Sequence, residues 1–579
     1  MGLFVHFSAH AGRRARAALD VQPFPGTPDA APSTEIGFPA LPPSELRSVA
    51  VTASRSGRHT GRLRVLADHR GTAFVPASPF VDGDRVSVIA HLRRPAGAGS
   101  GTRKVTSLRF SFRVAAPART GPPKPVAHEI HDTQRFTHTF RSVASLQPPI
   151  VRVSGTDPDP RAGDIFADAA YSTQTGPLIL GPRGQLIYFK PLRGATAYDV
   201  RVQKYAGQTV LTYWQGNDAT PSLGTDMIVS HNYQPIGEVK AGHGYSADLH
   251  EFTILPDGDA LITADLPVNA DLSAVGGSRH GKLLDSVIQE VNIASGQVVW
   301  EWHAYGHVSL KESYAGKPGN SPYDFFHLNS VQLLRGDRLL VSARNTWTIY
   351  EIDMRTGRIR WRLGGKRSNF DVGPGANFEW QHDAHMQPDG TITLFDNGGG
   401  LYRSEKQSRA LRLRLSYPTH RATLVSAFIN TTRLLSLTQG NVQVLPDGNT
   451  FVSWGQEPYF AEFSKTGLQL FSLHFRYPLQ SYRGYRFPWW GRPTGWPPSV
   501  AASTRGGRST VYASWNGATD IASWQVLAGP SPTALEPLGR FRDTGFETTM
   551  SVPSAGPYFA VRALDINGRV IGTSPTVRG

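Results

Sequence analysis

The chain contains no cysteine, which excludes disulfide stapling, thiolate nucleophiles and cysteine-ligated zinc. It has no run of about 18 apolar residues, so no segment is suited to span a bilayer as a helix. The loop GxxxxGK[ST], which cradles nucleotide phosphates, is also missing. A nucleotide-dependent group transfer is therefore not expected. The start, "MGLFVHFSAHAGRRARAALD", places a short apolar stretch before arginines, the reverse of a secretory signal. Arg13 and Arg14 lack the apolar stretch that follows a twin-arginine signal. The expectation is a protein that stays inside, or one whose export signal lies outside this start.

What is present is turn-rich. With 59 glycines and 43 prolines in 579 residues, the composition suits many short strands joined by turns, and the chain is too long for one ordinary domain. The net charge is +15, and residues 1–125 carry about +11 of it. No Lys/Arg run interleaves with stacking aromatics and no nucleic-acid reader motif occurs. The basic segment is expected to be a solvated face, drawn to an anionic envelope or polymer rather than to a specific nucleic acid.

Residues 1–43, rich in Pro, Ala and Gly, read as a disordered or extended lead-in. From 44 to 116 short alternating segments such as "SVAVTAS" and "DRVSVIAHL" predict a small β-sandwich, followed by a linker over 117–129. Between 130 and 491 a unit recurs in which a His precedes a Gly-containing turn and a short apolar strand. It is seen at His250 before "ILPDGDALITA", His327 before "QLLRGDRLLVSAR" and His382 before "MQPDGTITLFDN", with Gly440 and Asn441 in the same place before "VLPDGNTFVSWG". Self-similarity at such intervals, carried by Asp-Gly turns, predicts an all-β fold with a six-bladed β-propeller at its centre. Inner strands of all blades line one channel, so His250, His327 and His382 are expected to meet. Residues 492–579, with an early Trp and a late Tyr amid alternating apolar residues, resemble a fibronectin type III domain.

A repeat position needing only packing would carry Val or Ile, so three histidines there point to chemistry. Arg344 in "VSARN" is expected near the same channel mouth, where a fixed guanidinium suits a tetrahedral oxyanion. Asn329, two residues after His327, would share its strand face. A tri-histidine zinc site is conceivable, but Glu251, Glu379 and Asp383 fall at offsets that point away; only Asp248 could share the face. No catalytic metal is expected, whereas a structural calcium in the channel stays open. Nucleophilic imidazole, a cation and amides, with few carboxylates, suit transfer of an anionic sulfuryl or phosphoryl group.

The segment 130–490 resembles the arylsulfotransferases, the arylsulfate sulfotransferase family of six-bladed propellers, in a divergent branch. The resemblance rests on "GPLILGPRGQLIYFKPL", "DLHEFTILPDG", "DFFHLNSVQLL", "SARNTWTIYEIDMRTGRIRWRLGG" and "FEWQHDAHMQPDGTITLFDNGG". It implies ping-pong transfer from an aryl sulfate to a phenol, independent of phosphoadenosine phosphosulfate and of any cofactor. It further implies that His382 becomes sulfated, that His250, His327 and Arg344 surround the group, and that Asn329 binds it. His385 is left out, being on the opposite strand face. The family's exported members have a signal peptide and a disulfide, and neither is visible here; the appended β-modules nonetheless suggest an extracellular or envelope protein. Two other classes fit parts of the chain. One is a quinone-dependent redox propeller, given "SGQVVWEW" and "TGRIRWRL"; the other is a non-catalytic scaffold or adhesion protein.

Overall fold

A computed structural model describes residues 21–67, 70–96, 105–118, 136–155, 162–219, 222–553 and 556–579. The chain is all-β, its helical elements being single 3-10 turns such as Arg344–Thr346. Among the described residues no helix is long and apolar enough to cross a membrane.

Near the amino end, a four-stranded sheet (Leu46–Ala53, Gly57–His59, Arg85–Ala96, Val105–Arg113) faces a three-stranded one (Ile36–Phe38, Gly61–Val65, Thr72–Pro76). Val86, Val88 and Ala90 are buried at alternate positions and pack with Ile36, Phe74 and Phe112, the period-two pattern of a strand with one face to the core. Residues 21–43, expected as a disordered or extended lead-in, are folded instead. Gln22 and Gly37 exchange backbone hydrogen bonds of 2.9 and 2.8 Å, and Phe24 meets the Trp300 ring edge-on at 6.1 Å. The physical reason is that Val21, Phe24, Ile36, Phe38 and Leu41, spaced between the prolines, supply enough buried apolar surface to offset ordering. Residues 1–20, and most of the expected linker, lie outside the described residues.

Among the described residues the central region contains five mainly antiparallel sheets, which make six groups because the nine-stranded one divides in two. The first (Asp164–Ala169, Gly176–Leu180, Leu186–Phe189) receives Tyr485–Phe487 from the far end of the region as its fourth strand. The second and third form one nine-stranded sheet but meet at a single pair, Gly224 with Ala247. A Cβ at Gly224 would fall 2.1 Å from the Trp214 ring, so only glycine permits this approach. The fourth runs Leu328–Leu334, Arg338–Ala343, Thr348–Asp353, Ile359–Gly364. The fifth starts at His382–Met386 and the sixth at Asn441–Val444, and the sixth is covered on its last strand by Val151–Gly155. Each group contacts the next and the sixth contacts the first, so the order is cyclic and both ends of the region are clamped into neighbouring sheets.

The turns are the expected ones: Gly258, Gly336, Gly390 and Gly448 all have positive φ, as such hairpins require. The tryptophans of "VVWEW" have a structural role, since Trp300 and Trp302 donate indole N–H bonds of 2.7 and 3.0 Å to the carbonyls of Met354 and Gly357 in the fourth group. The carboxy-terminal module is a three-stranded sheet and a five-stranded sheet around Trp524, Val526, Met550 and Val561. It docks through Asn516, whose amide donates to Phe189 O and accepts from Phe189 N.

Candidate active site

The inner strands do not start regularly, and the irregularities aim the side chains. His327 (φ 56°), Asp383 (φ 57°) and Gln439 (φ 69°) are non-glycine residues in the left-handed region, a strained choice that tertiary contacts must hold. The ladder also slips between Ala247 and Phe252, around His250, and between His382 and His385. Such bulges turn consecutive side chains to sides that plain alternation would not give.

His250 and His327 are each backed by a carboxylate. His250 Nδ1 donates to Asp248 Oδ2 at 2.5 Å, and His327 Nδ1 to Asp324 Oδ2 at 2.5 Å. Their rings lie 4.9 Å apart at 77°, with side chains 13% and 25% exposed. An acceptor at Nδ1 fixes the tautomer and supports a proton at Nε2 when one arrives. Burial lowers the His327 pKa against the pull of Asp324, keeping it neutral at pH 7.

His382 is sealed, at 1% exposure. Gln439 N–H donates to its Nε2 at 3.3 Å, so Nδ1 carries the proton and donates to Asn397 Oδ1 at 2.7 Å. The Asn397 amide is oriented in turn because its Nδ2 donates to the carbonyls of Ser436 and Gln439. Burial first, and then the Arg344 guanidinium, hold the imidazole well below its usual range, with His327 and His250 adding to the effect. The result is a neutral imidazole with its lone pair on Nε2.

Arg344 follows strand Arg338–Ala343, and its N–H donates to His327 O at 2.9 Å. Its guanidinium donates to Asn345 Oδ1 and Leu437 O, lies 5.0 Å over the Trp380 ring, and keeps a buried Nε with no hydrogen-bond partner in the protein. Burial pushes its pKa down to about 10, so it stays cationic at neutral pH. The structure thus brings His250, His327, His382 and Arg344 into one electrostatically coupled cluster.

Asn329 takes another role from the one its spacing suggests. Its Nδ2 donates to Gln381 O at 2.8 Å and the residue is fully buried, tying the fourth inner strand to the residue before His382. Because His327 sits before the strand with positive φ, the two side chains do not share a face. His385 points away from His382, towards Asp383 and Glu251.

Behind the histidines lies a fully buried ionic knot. Arg483, 0% exposed, donates to Asp199 Oδ1 (3.0 Å), Glu251 Oε2 (3.2 and 3.3 Å) and Asn329 O (2.7 Å), with Asp383 Oδ1 at 3.5 Å from Nε. These three hydrogen-bond acceptors and one ion-pair partner come from four different groups, so one guanidinium pins four inner strands. Arg201 adds a 2.5 Å bond to Glu251. The neighbouring Tyr482 hydroxyl donates to His250 O at 3.3 Å, making this segment the floor of the histidine cluster. Asp324, Asn397, Gln439 N–H and Arg483 escaped sequence reasoning. Asp324 and Asn397 were within reach, being inside "DFFH" and "LFDN", whereas a backbone amide and a knot closed by residue 483 leave no local signal. Among the described residues, the sets of three potential metal ligands within 4.8 Å of one another are Asp29, Asp285, His303 and Asp257, Asp259, Glu290, both away from this cluster.

An all-β chain with a buried imidazole, two carboxylate-backed imidazoles and a guanidinium has the parts of a group-transfer enzyme. Residues 201–476 match the arylsulfotransferase (ASST) family model, which supports the resemblance to that family over this segment. No curated protein matches the chain. Similar solved structures include a Bacteroides caccae protein of unknown function (14% identity, 56% of this chain and 97% of that one, TM-score 0.35). Another is the periplasmic gluconolactonase PpgL of Pseudomonas aeruginosa (13%, 67% and 99%, TM-score 0.29). Likeness at this level says nothing of activity.

Proposed function

We propose that this protein moves a sulfuryl group from a phenolic sulfate ester to a phenolic acceptor by a ping-pong route through a sulfohistidine at His382, without phosphoadenosine phosphosulfate. The six groups are read as the blades of a β-propeller whose inner strands surround the site, with a fibronectin type III-like module after it. The observation that carries the reading is the state of His382: neutral, its Nδ1 proton held by Asn397 and its Nε2 lone pair beside a guanidinium.

In the first half-reaction Nε2 attacks sulfur and the sulfur–aryloxy bond breaks. The phenolate takes a proton from Nε2 of His327 or His250, whichever has first taken up a proton from solvent to become the imidazolium that its Nδ1 carboxylate supports. In the second, the acceptor phenol gives its proton back to that imidazole, its oxygen attacks sulfur, and the sulfur–nitrogen bond breaks to restore His382. Arg344, with its uncommitted Nε–H, and the Gln439 N–H would hold the non-bridging oxygens as charge moves. The 3.3 Å contact from Gln439 to Nε2 is long enough to be given up as the donor turns to a sulfuryl oxygen.

A wall of aromatic rings adjoins Arg344. Trp380 lies 5.4 Å from Trp347 and 5.3 Å from Tyr402, and Tyr314 stacks on Trp347 at 3.6 Å. Trp380 is fully buried behind them, and the partly exposed Tyr314, Trp347 and Tyr402 suit the ring of an aryl donor or acceptor. The working place proposed is extracellular or in the cell envelope.

The test is incubation with 4-nitrophenyl sulfate and no acceptor. A mass gain of about 80 Da, the covalent intermediate, is expected on the peptide containing His382. His382→Ala should show neither adduct nor transfer, and a variant that still labels and turns over at the parent rate overturns the assignment.

A further inference from the structure

Away from the histidine cluster, where the amino-terminal segment meets the third group, lies a buried set of ligand-type side chains that the proposed chemistry does not use. Asp29 comes from the folded segment 21–43, Asp285 from strand Gly281–Asn292, and His303 ends strand Gln297–His303. All three are buried, and one ligand atom from each lies within 4.8 Å of the other two. His303 Nδ1 is 2.7 Å from Asp285 Oδ2 and 3.3 Å from Asp29 Oδ1.

We propose that Asp29, Asp285 and His303 bind a divalent first-row metal ion, zinc being the natural fit, which staples the amino-terminal module to the third group. Asp29 supplies the observation that demands a ligand: it is 2% exposed, yet neither carboxylate oxygen receives a hydrogen bond. A buried carboxylate without a donor or cation is expensive. An imidazolium at His303 would have to share its one Nδ1–H between Asp285 at 2.7 Å and Asp29 at 3.3 Å, and would leave the second oxygen of Asp29 without a donor. A dication held by the His303 lone pair and both carboxylates accounts for all three at once.

The outer contacts point the same way. His303 Nε2 faces Glu301 Oε1 at 3.0 Å, so with Nε2–H donated there, Nδ1 presents its lone pair to the aspartates, the carboxylate–histidine arrangement that orients metal ligands. Glu301 is held in turn by Gln289 Nε2 at 2.6 Å and by His243 Nδ1 at 2.8 Å. Asp285 Oδ1 accepts from Tyr305 N at 2.7 Å, which leaves Oδ2 for the ion. Imidazole and carboxylate together favour zinc over calcium. Tetrahedral ligands about 2.1 Å from zinc lie roughly 3.4 Å apart, so Asp285 Oδ2 would have to open by about 0.7 Å.

The experiment uses the full chain, dialysed against a chelator and titrated with Zn²⁺ alone, reading bound metal per chain and thermal melting. One Zn²⁺ per chain with a raised melting temperature is expected. Asp29→Asn should weaken binding at least about tenfold, and Glu301→Gln, which keeps all three ligands, by about tenfold to hundredfold. His382→Asn should bind like the parent. The proposal is overturned if the parent chain takes up no Zn²⁺, if Asp29→Asn titrates like the parent, or if His382→Asn abolishes uptake. Should Asp29→Asn not fold, the parent stoichiometry and the Glu301→Gln titration decide.

Discussion

His250 and Glu251 are neighbours in the chain, as are His382 and Asp383, yet each pair is divided between two different environments. The histidines join Arg344 on a side where His250 and His327 retain some exposure. The carboxylates join Arg483 in a knot from which solvent is absent. On the histidine side the guanidinium donates to an amide oxygen and a carbonyl rather than to a carboxylate, and an imidazole is kept uncharged. In the knot opposite charges are closely paired. The same residue types, one bond apart along the backbone, thus serve reaction on one side and cohesion on the other; the difference lies in whether each charge already has a partner.

The strongest way to break this comparison is to make one change on each side. Arg483→Met leaves Asp199, Glu251 and Asp383 in the interior without their shared cation, and removing one partner from a buried pair costs about 3–5 kcal/mol. Denaturant unfolding should show that loss, or no folded protein at all. Arg344→Met removes a guanidinium whose hydrogen bonds go to one carbonyl and one amide. It should unfold within about 1 kcal/mol of the parent while slowing sulfuryl transfer by roughly 10²-fold or more, as loss of an oxyanion donor does. Equal effects of the two changes on stability would erase the distinction.

A smaller effect sharpens it. Asp324→Asn keeps an acceptor for His327 Nδ1 but withdraws the charge that supports an imidazolium. Transfer from an unactivated phenyl sulfate, whose leaving oxygen needs a proton, should fall about tenfold to hundredfold. Single-turnover labelling by 4-nitrophenyl sulfate, whose phenolate leaves unaided, should barely change. A variant that merely disturbed packing would slow both alike.

These contrasts also explain what was legible in the sequence. The Asp-Gly turns and the repeated apolar strands follow local rules, so the β architecture and the positions of His250, His327 and His382 could be read directly. The gathering of those histidines followed from repetition, since one repeat position maps to one place in each unit. Three things were not legible. Asn329 was assigned by strand alternation, which fails where His327 adopts a positive φ. The segment 21–43 has a composition typical of disorder, but its few apolar residues are placed to pack against Trp300 and the first sandwich. Arg483 belongs to no repeat: its importance arises because the region closes on itself through Tyr485–Phe487, carrying residue 483 to the centre.

The finest test concerns the coupling between Arg344 and His382. Burial is the larger cause of the depressed His382 pKa, and the Arg344 charge is the second. The sign is fixed: only neutral imidazole attacks, and a nearby cation opposes its protonation, so Arg344 extends reactivity to lower pH. Single-turnover labelling by 4-nitrophenyl sulfate needs no proton donor, and its acid limb reports His382 alone. In the parent chain the limb should lie below the ordinary imidazole value of 6.5. In Arg344→Met the cation is gone, protonation becomes easier, and the limb should move to higher pH, while burial still holds it below the ordinary imidazole value. A limb that stayed in place would show that the guanidinium does not act on this imidazole, and one moving to lower pH would reverse the assumed charge relation between the two residues.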